Sequence, residues 1–172
     1  MAYIFDLDQT IVDSSIAERY RNQRQWSTVY TLIPQFRLYE GLDEIFKILH
    51  ERGEKICVVT SSPEKYCRTV LKQFNIRADC IVCYHDTKFH KPHPDPILKA
   101  VELLGGSPQD IISIGDVEKD IVASNAAGVI SCLALWGGQA ADANSNVAAD
   151  YVFETVADLK QYIITKGEIS KL

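Results

Sequence analysis

No stretch of this 172-residue sequence approaches the ~20 consecutive apolar residues that a membrane-spanning helix needs. No basic segment precedes an apolar run at its start, where Met1 leads straight into "AYIF", and no cleavage pattern follows. These absences predict a cytoplasmic protein with no membrane partner. Basic residues are not in excess either. A formal net charge of −5 and a pI near 5.3 argue against general nucleic-acid binding, though not against a local basic site. Cysteine is sparse and odd in number. Of the five, Cys80 and Cys83 form a C-x-x-C, but no second one exists to complete a zinc site. The pair lies in "DCIVCYHD", which reads as a strand, and residues three apart on a strand point to opposite faces. Free, partly buried thiols are the expectation. Internal repeats, low-complexity tracts and interdomain linkers are also missing.

What is present is an ordinary composition, 47% hydrophobic and 24% charged, in a chain long enough for one domain with a substantial core. Short apolar runs rich in β-branched residues recur: "AYIFDLD", "KICVVTSS", "DCIVCYHD", "DIISIGD", "SCLALWG" and a weak "DYVFE". Helical patterns separate most of them. "GLDEIFKILHERG" sets Leu42, Ile45, Phe46 and Leu49 on one face, with Gly53 as a stop. "SPEKYCRTVLKQFN" opens with Ser62 as a cap and Pro63 in the first turn. "HPDPILKAVELLGG", "KDIVASNAAG" and "TVADLKQYIITKG" supply the rest, and "EISKL" reads as a frayed tail. Strand–helix alternation at this spacing predicts an α/β fold: a doubly wound, Rossmann-like parallel sheet with helices on both faces.

Ligands of such sheets bind at the carboxyl ends of the strands, and the unusual residues fall there. "IFDLDQT" runs apolar residues into Asp6 and Asp8, with Thr10 just beyond. A carboxylate is costly to bury unless paired or metal-bound, and two this close repel each other. Thr60 and Ser61 end the second strand, Lys91 lies in "HKPHP" after the third, and Asp116 ends "IISIG" with Asp120 one helical turn on. Carboxylates converging from two strands make an oxygen-rich site for a hard cation such as Mg²⁺. A carboxylate can attack phosphorus, a second can move the proton, and a lysine and a hydroxyl can hold the charge of the transferring group.

These motifs resemble those of the haloacid dehalogenase-like superfamily. "DLDQT" looks like its D-x-D-x-T motif, "VVTSS" its strand ending in Thr or Ser, "HKPHPDP" its lysine before proline, and "IGDVEKD" its G-D-x-x-x-D. The four occur in order, across roughly residues 2–160. "NAAG" and "ALWGG" are similar to the subfamily that includes phosphoglycolate phosphatases. The resemblance implies Asp6 as nucleophile and Mg²⁺ ligand, and Asp8 as general acid/base with its backbone carbonyl on the metal. It implies Asp116 as the other protein ligand and Asp120 behind it or reaching the metal through water. Thr60 would hydrogen-bond the phosphoryl oxygens, and Lys91 would neutralise charge beside the nucleophile. Thr10 and Ser61 join the expected substrate contacts. Read singly, Asp8 could be a turn residue, Thr10 and Asp116 helix caps, and Lys91 a solvated loop charge. Their joint occurrence at element ends is what favours a site. His90 and His93 flank Lys91 and read as loop surface. Gln9 stands where the family usually has glycine, which makes that turn less permissive.

Dehalogenases of the superfamily lack the second aspartate, so Asp8 favours phosphoryl transfer. The segment between the first motif and the core helix is short. Residues 15–38 hold one or two helices rather than a bundle, giving a reduced cap on a core of residues 1–14 and 39–165, with 166–172 as tail. An open site excludes water poorly, which favours hydrolysis, and admits small phosphorylated metabolites or a phosphorylated macromolecule. It also leaves room for a second subunit, as in a homo-oligomer. The cap segment carries Arg19, Arg21, Arg24 and Arg37 against Glu18 alone, with Tyr20, Gln23, Trp26 and Tyr30 at helical spacing. It reads either as a lid in which Arg21 and Arg24 meet an anionic or ring-bearing substrate, or as an amphipathic helix with solvated arginines. The expectation is therefore an Mg²⁺-dependent phosphatase acting through an aspartyl-phosphate. Phosphotransferase, mutase or pyrophosphatase chemistry at the same site is the first alternative, and a non-catalytic phospho-ligand module the second.

Overall fold

A computed structural model describes residues 1–138 and 147–169. Chain order is β1 (Ala2–Phe5), β2 (Val12–Asp13), α1 (Ser15–Asn22), α2 (Trp26–Leu32), β3 (Arg37–Leu38), α3 (Leu42–Glu51), β4 (Lys55–Val59), α4 (Glu64–Gln73), β5 (Cys80–Val82), α5 (Asp95–Leu104), β6 (Ile111–Gly115), α6 (Glu118–Ala127), β7 (Ile130–Ala134), β8 (Tyr151–Phe153) and α7 (Val156–Ile169). Six strands form one parallel sheet in the order β5-β4-β1-β6-β7-β8. This is the expected α/β architecture. Because helices cover both faces, β1 is buried at every position and reads as an unbroken apolar run rather than an alternating one.

Alternation along β1 divides the core. Tyr3 and Phe5 pack with Leu42, Ile45, Tyr66, Val70, Leu159 and Ile163, which come from α3, α4 and α7. Ala2 and Ile4 pack with Ile97, Ala100, Ala123 and Ala127 from α5 and α6. Cys83 belongs to the first cluster and Cys80 packs on the second, so the two thiols do lie on opposite faces. All five cysteines are free. Between β2 and β3, which pair antiparallel, the chain makes the two short helices α1 and α2.

Some boundaries differ from the sequence reading. The expected strand "DCIVCYHD" is ordered as a strand only over Cys80–Val82 and then turns into a 3-10 helix at Tyr84–Asp86. α4 begins at Glu64 behind Pro63, and Ser62 does not cap it; its hydroxyl has a tertiary partner instead. α7 continues to Ile169, beyond the start of the expected tail. Residues 139–146 of the expected core and 170–172 of the tail lie outside the described residues. Among the described residues no helix is long and apolar enough to cross a membrane.

Candidate active site

β1 is the pivot of the sheet, with β4 on one side and β6 on the other. The polar residues that follow β1, β4 and β6 therefore emerge side by side at one edge. Asp6 continues β1 and keeps its pairing, its N–H donating to Ile114 O at 2.9 Å. Thr60 continues β4, its N–H donating to Val82 O at 2.9 Å. Asp116 follows β6, and Asp120 stands in the first turn of α6.

Lys91 ties three of these pieces together. Its side chain is 3% exposed. Its Nζ lies 2.7 Å from Asp6 Oδ1, 2.7 Å from Asp120 Oδ1 and 3.1 Å from Val59 O. Burial alone would lower its pKa, but Asp120 and Asp6 outweigh this and push it above the ordinary lysine value. One carboxylate oxygen from each of Asp6, Asp116 and Asp120 falls within 4.8 Å of the others. Three carboxylates against one ammonium leave excess negative charge in a dry place. The consequence shows in the protonation equilibria. Burial raises Asp6 well above the usual carboxylate range; Lys91 opposes that, and Asp120 and Asp116 add to it. Burial, then Asp120, raises Asp116 to about 7. A set of hard oxygens that resists holding its own charge fits a divalent cation such as Mg²⁺.

Local backbone makes this convergence possible at two places. At Gly115 an added Cβ would sit 2.4 Å from Asp120 Cβ, so only glycine lets α6 start this close to β6. Gln9 adopts a left-handed backbone, φ 64°, at the turn between the D-x-D and Thr10. A non-glycine residue costs about 1–2 kcal/mol there. Tyr39 compensates by donating its hydroxyl to Gln9 Oε1 at 3.0 Å. The same turn is pinned from outside by Trp136, whose Nε1 donates to Thr10 O at 2.9 Å.

Above the carboxylates lies a cavity of about 390 Å³. Asp6, Asp8, Thr60, Ser61, Asp116 and Asp120 line its floor and wall. Arg21 and Arg24 line it from the α1 side. Lys91 sits beneath, reaching the cavity through Asp6 and Asp120. Thr10, expected among the substrate contacts, does not line the cavity. It is fully buried and donates to Asp116 Oδ1 at 3.2 Å, so it orients a carboxylate. Arg21 is not a free lid charge either. It donates to Ser14 O and Oγ, both at 2.9 Å, and approaches Asp8 Oδ1 to 3.3 Å. Arg24 is exposed at the rim, at a left-handed position. His93 lies against Phe89, and His90 stacks behind Tyr84; neither histidine lines the cavity itself.

The sequence reading missed Lys119, Tyr84 and His85, which also line the cavity, and Ser14, Ser62 and Tyr66, which bond Asp8. Lys119, between Asp116 and Asp120, was findable by position alone. Tyr66 was not, because on its helix it reads as an ordinary core residue.

A buried carboxylate cluster bridged by lysine stands at the carboxyl edge of this parallel sheet, where α/β folds bind their ligands. A family model described as haloacid dehalogenase-like hydrolase matches residues 17–134. The chain belongs to that family. Thr60, Lys91, Asp116 and Asp120 fall inside the match, whereas Asp6 and Asp8 precede it. Among curated proteins, it is 32% identical over 131 residues to the pyrophosphatase PpaX of Halalkalibacterium halodurans, covering 75% of this chain and 61% of that one. It is 33% identical over 110 residues to a phosphoglycolate phosphatase of Xanthomonas campestris pv. campestris, covering 63% of this chain and 50% of that one. The chain thus spans between half and about three fifths of these relatives' length. Among solved structures, a hydrolase from Pseudomonas syringae superposes with a TM-score of 0.81 at 21% identity, covering 95% of this chain and 98% of that one. A subfamily IA haloacid dehalogenase-superfamily hydrolase from Geobacter sulfurreducens gives 0.73 at 22% identity, covering 94% and 98%. Both share the fold.

Proposed function

We propose that this protein is a phosphatase that hydrolyses phosphate monoesters of small molecules through a phosphorylated Asp6. The observation that carries the reading is the ammonium of Lys91 held at 2.7 Å from both Asp6 and Asp120 beneath an open cavity. It keeps one carboxylate oxygen of Asp6 neutralised, so that an anionic phosphoryl group can approach the other. Asp6 Oδ attacks phosphorus and the ester oxygen leaves. Asp8, 17% exposed and lining the same cavity, protonates that oxygen and later takes a proton from the attacking water. The Thr60 hydroxyl accepts from Ser62 N–H at 3.1 Å, which fixes its oxygen and aims its own proton toward the transferred group. Ser61 adds a donor at the cavity wall. Mg²⁺ would be held by Asp6, Asp116 and the Asp8 carbonyl, with Asp120 behind, and would neutralise charge developing on the phosphoryl oxygens.

We assign residues 15–38 to a reduced cap. Its two helices leave the cavity open on one side, which suits hydrolysis by water from solvent better than transfer that must protect its intermediate. A second reading, pyrophosphate hydrolysis, is favoured by the similarity to PpaX and by Arg24 and Lys119 on the cavity lining, where a second phosphate would meet cations. Phosphate release from a metabolite panel that includes pyrophosphate tests both. Release that requires Mg²⁺, stops with EDTA and falls at least about 10³-fold in Asp6→Asn is the expected result. Full activity in Asp6→Asn would overturn the reading.

A further inference from the structure

Asp8 draws its partners from a set unlike that of the other carboxylates. Its Oδ1 accepts the Tyr66 hydroxyl at 2.6 Å and the Ser14 hydroxyl at 2.6 Å, and lies 3.3 Å from Arg21 Nη1. Its Oδ2 accepts only a long bond, 3.3 Å, from Ser62 Oγ. A carboxylate oxygen has about two lone-pair sites, so Oδ1 is saturated while Oδ2 keeps capacity to carry a proton.

Tyr66 is the most constrained of these donors. It is 0% exposed on α4. Its ring lies between Trp26 of α2, at 5.6 Å between centroids, and Phe36, at 6.3 Å. These aromatic contacts hold the ring, and its hydroxyl reaches Asp8 with Ser14 beside it. Burial, then the negative charge of Asp8, pushes its pKa above the ordinary tyrosine value, so it remains a donor. Ser14, fully buried, is in turn held by Arg21 from α1. Residues of the 15–38 segment thus stand behind both donors: Trp26 and Phe36 pack on Tyr66, and Arg21 holds Ser14.

Resting on the phosphatase reading, we infer that Tyr66 is a positioning residue for Asp8: with Ser14 it locks Oδ1 so that Oδ2 is presented to the leaving-group oxygen. A buried phenol that merely needed an acceptor would leave the same bond in the structure, so the test must separate the two roles. Phenyl phosphate and p-nitrophenyl phosphate have nearly the same shape, but phenolate needs a proton on departure far more than nitrophenolate does. In Tyr66→Phe, kcat/KM, which reports the steps up to departure of the ester oxygen, should fall about tenfold or more on phenyl phosphate, as for loss of a hydrogen bond to a charged group, and less than about threefold on p-nitrophenyl phosphate. Asp8→Asn should show the same split, larger. Adding Tyr66→Phe to Asp8→Asn should cost nothing further, because Tyr66 acts only through Asp8. Ser14→Ala, which removes the other 2.6 Å donor, should reproduce the split should Tyr66→Phe fail to fold. Equal losses on both esters, a gain in rate, no change, or a further loss in the double variant would overturn the inference while leaving the phosphatase reading intact. Absence of the split in Asp8→Asn itself, or full activity in Asp6→Asn, would overturn both.

Discussion

Removing the carboxylate at residue 116 should take away a large part of the stability that this protein loses as pH rises. Asp116 is buried and titrates at about 7, raised from 3.8 chiefly by burial and then by Asp120. Between pH ~4 and ~7 the native state then holds a proton that the unfolded state has released, so stability falls as pH rises through that window. A carboxyl raised from 3.8 to about 7 contributes about 4 kcal/mol in all, at ~1.4 kcal/mol for each tenfold change in proton affinity. Asp6, raised for the same reason, acts in the same direction. Lys91 has a raised pKa, so its contribution is complete below its unfolded value of 10.5 and constant across the window. The assay is urea unfolding in EDTA at half-unit pH steps from 4.5 to 8, for the native chain and Asp116→Asn. Carboxylates distant from residue 116 cancel in the difference, whereas Asp6, which Asp116 raises, relaxes in the variant and adds to it in the same direction. Over the measured range, which starts above the unfolded value of 3.8, that difference should move against the native chain by about 3 kcal/mol, or about 1.5 M in urea midpoint for a slope near 2 kcal/mol/M. Adding Mg²⁺ should restore stability more at pH 8 than at pH 5, since protons compete for the same oxygens. A difference that is flat with pH, or that favours the native chain as pH rises, would refute the reading of the cluster as charge held against its preference.

Gly115→Ala places a methyl group 2.4 Å from Asp120 Cβ, so α6 must shift away from β6. We expect a loss of about 1–3 kcal/mol, as for overpacking elsewhere, together with loss of phosphate release as the Lys91–Asp120 pair opens. Wild-type behaviour in both measurements would show the contact is not tight. Gln9→Gly should change unfolding free energy by less than about 1 kcal/mol, because relief of the left-handed backbone offsets the lost bond from Tyr39. Gln9→Val should cost about 2 kcal/mol or more, since it keeps the strain, adds a branched Cβ and removes the acceptor.

Much of the candidate site was legible because its logic is one-dimensional. A parallel strand announces itself as an apolar run, its carboxyl end is where the run stops, and Asp6, Thr60 and Asp116 are the residues at those stops. The helices α3 and α5 follow from periodicity and from glycines beyond their ends, and α6 from Gly128 alone. Ser62 shows where this logic fails. Ser before Pro and Glu is a strong local cap signal, yet its hydroxyl serves Asp8, 54 positions away. The competing partner is visible only once β1 and β4 are neighbours. Thr10 failed in the same way, its acceptor being Asp116, 106 positions on.

Tyr66 marks the deeper limit. Every sequence criterion places it in the core, and the structure agrees, since its ring packs against Phe36 and Trp26. What no periodicity carries is the direction of a single oxygen at the end of that ring. The same holds for Gly115, whose backbone is not left-handed and whose need for glycine arises wholly from Asp120 across the turn. A sequence pattern reports which face of an element is buried. It does not report which buried atom meets which, and in this site those meetings divide the work. Lys91 couples Asp6 to Asp120, Thr10 holds Asp116, and Tyr66 with Ser14 holds Asp8. Asp8 and Asp116 are thus held by partners of their own, while Asp6 and Asp120 share Lys91. Their roles in the proposed reaction can then differ although the residue type is the same, which is what a nucleophile, a proton carrier and metal ligands at one edge of one sheet require.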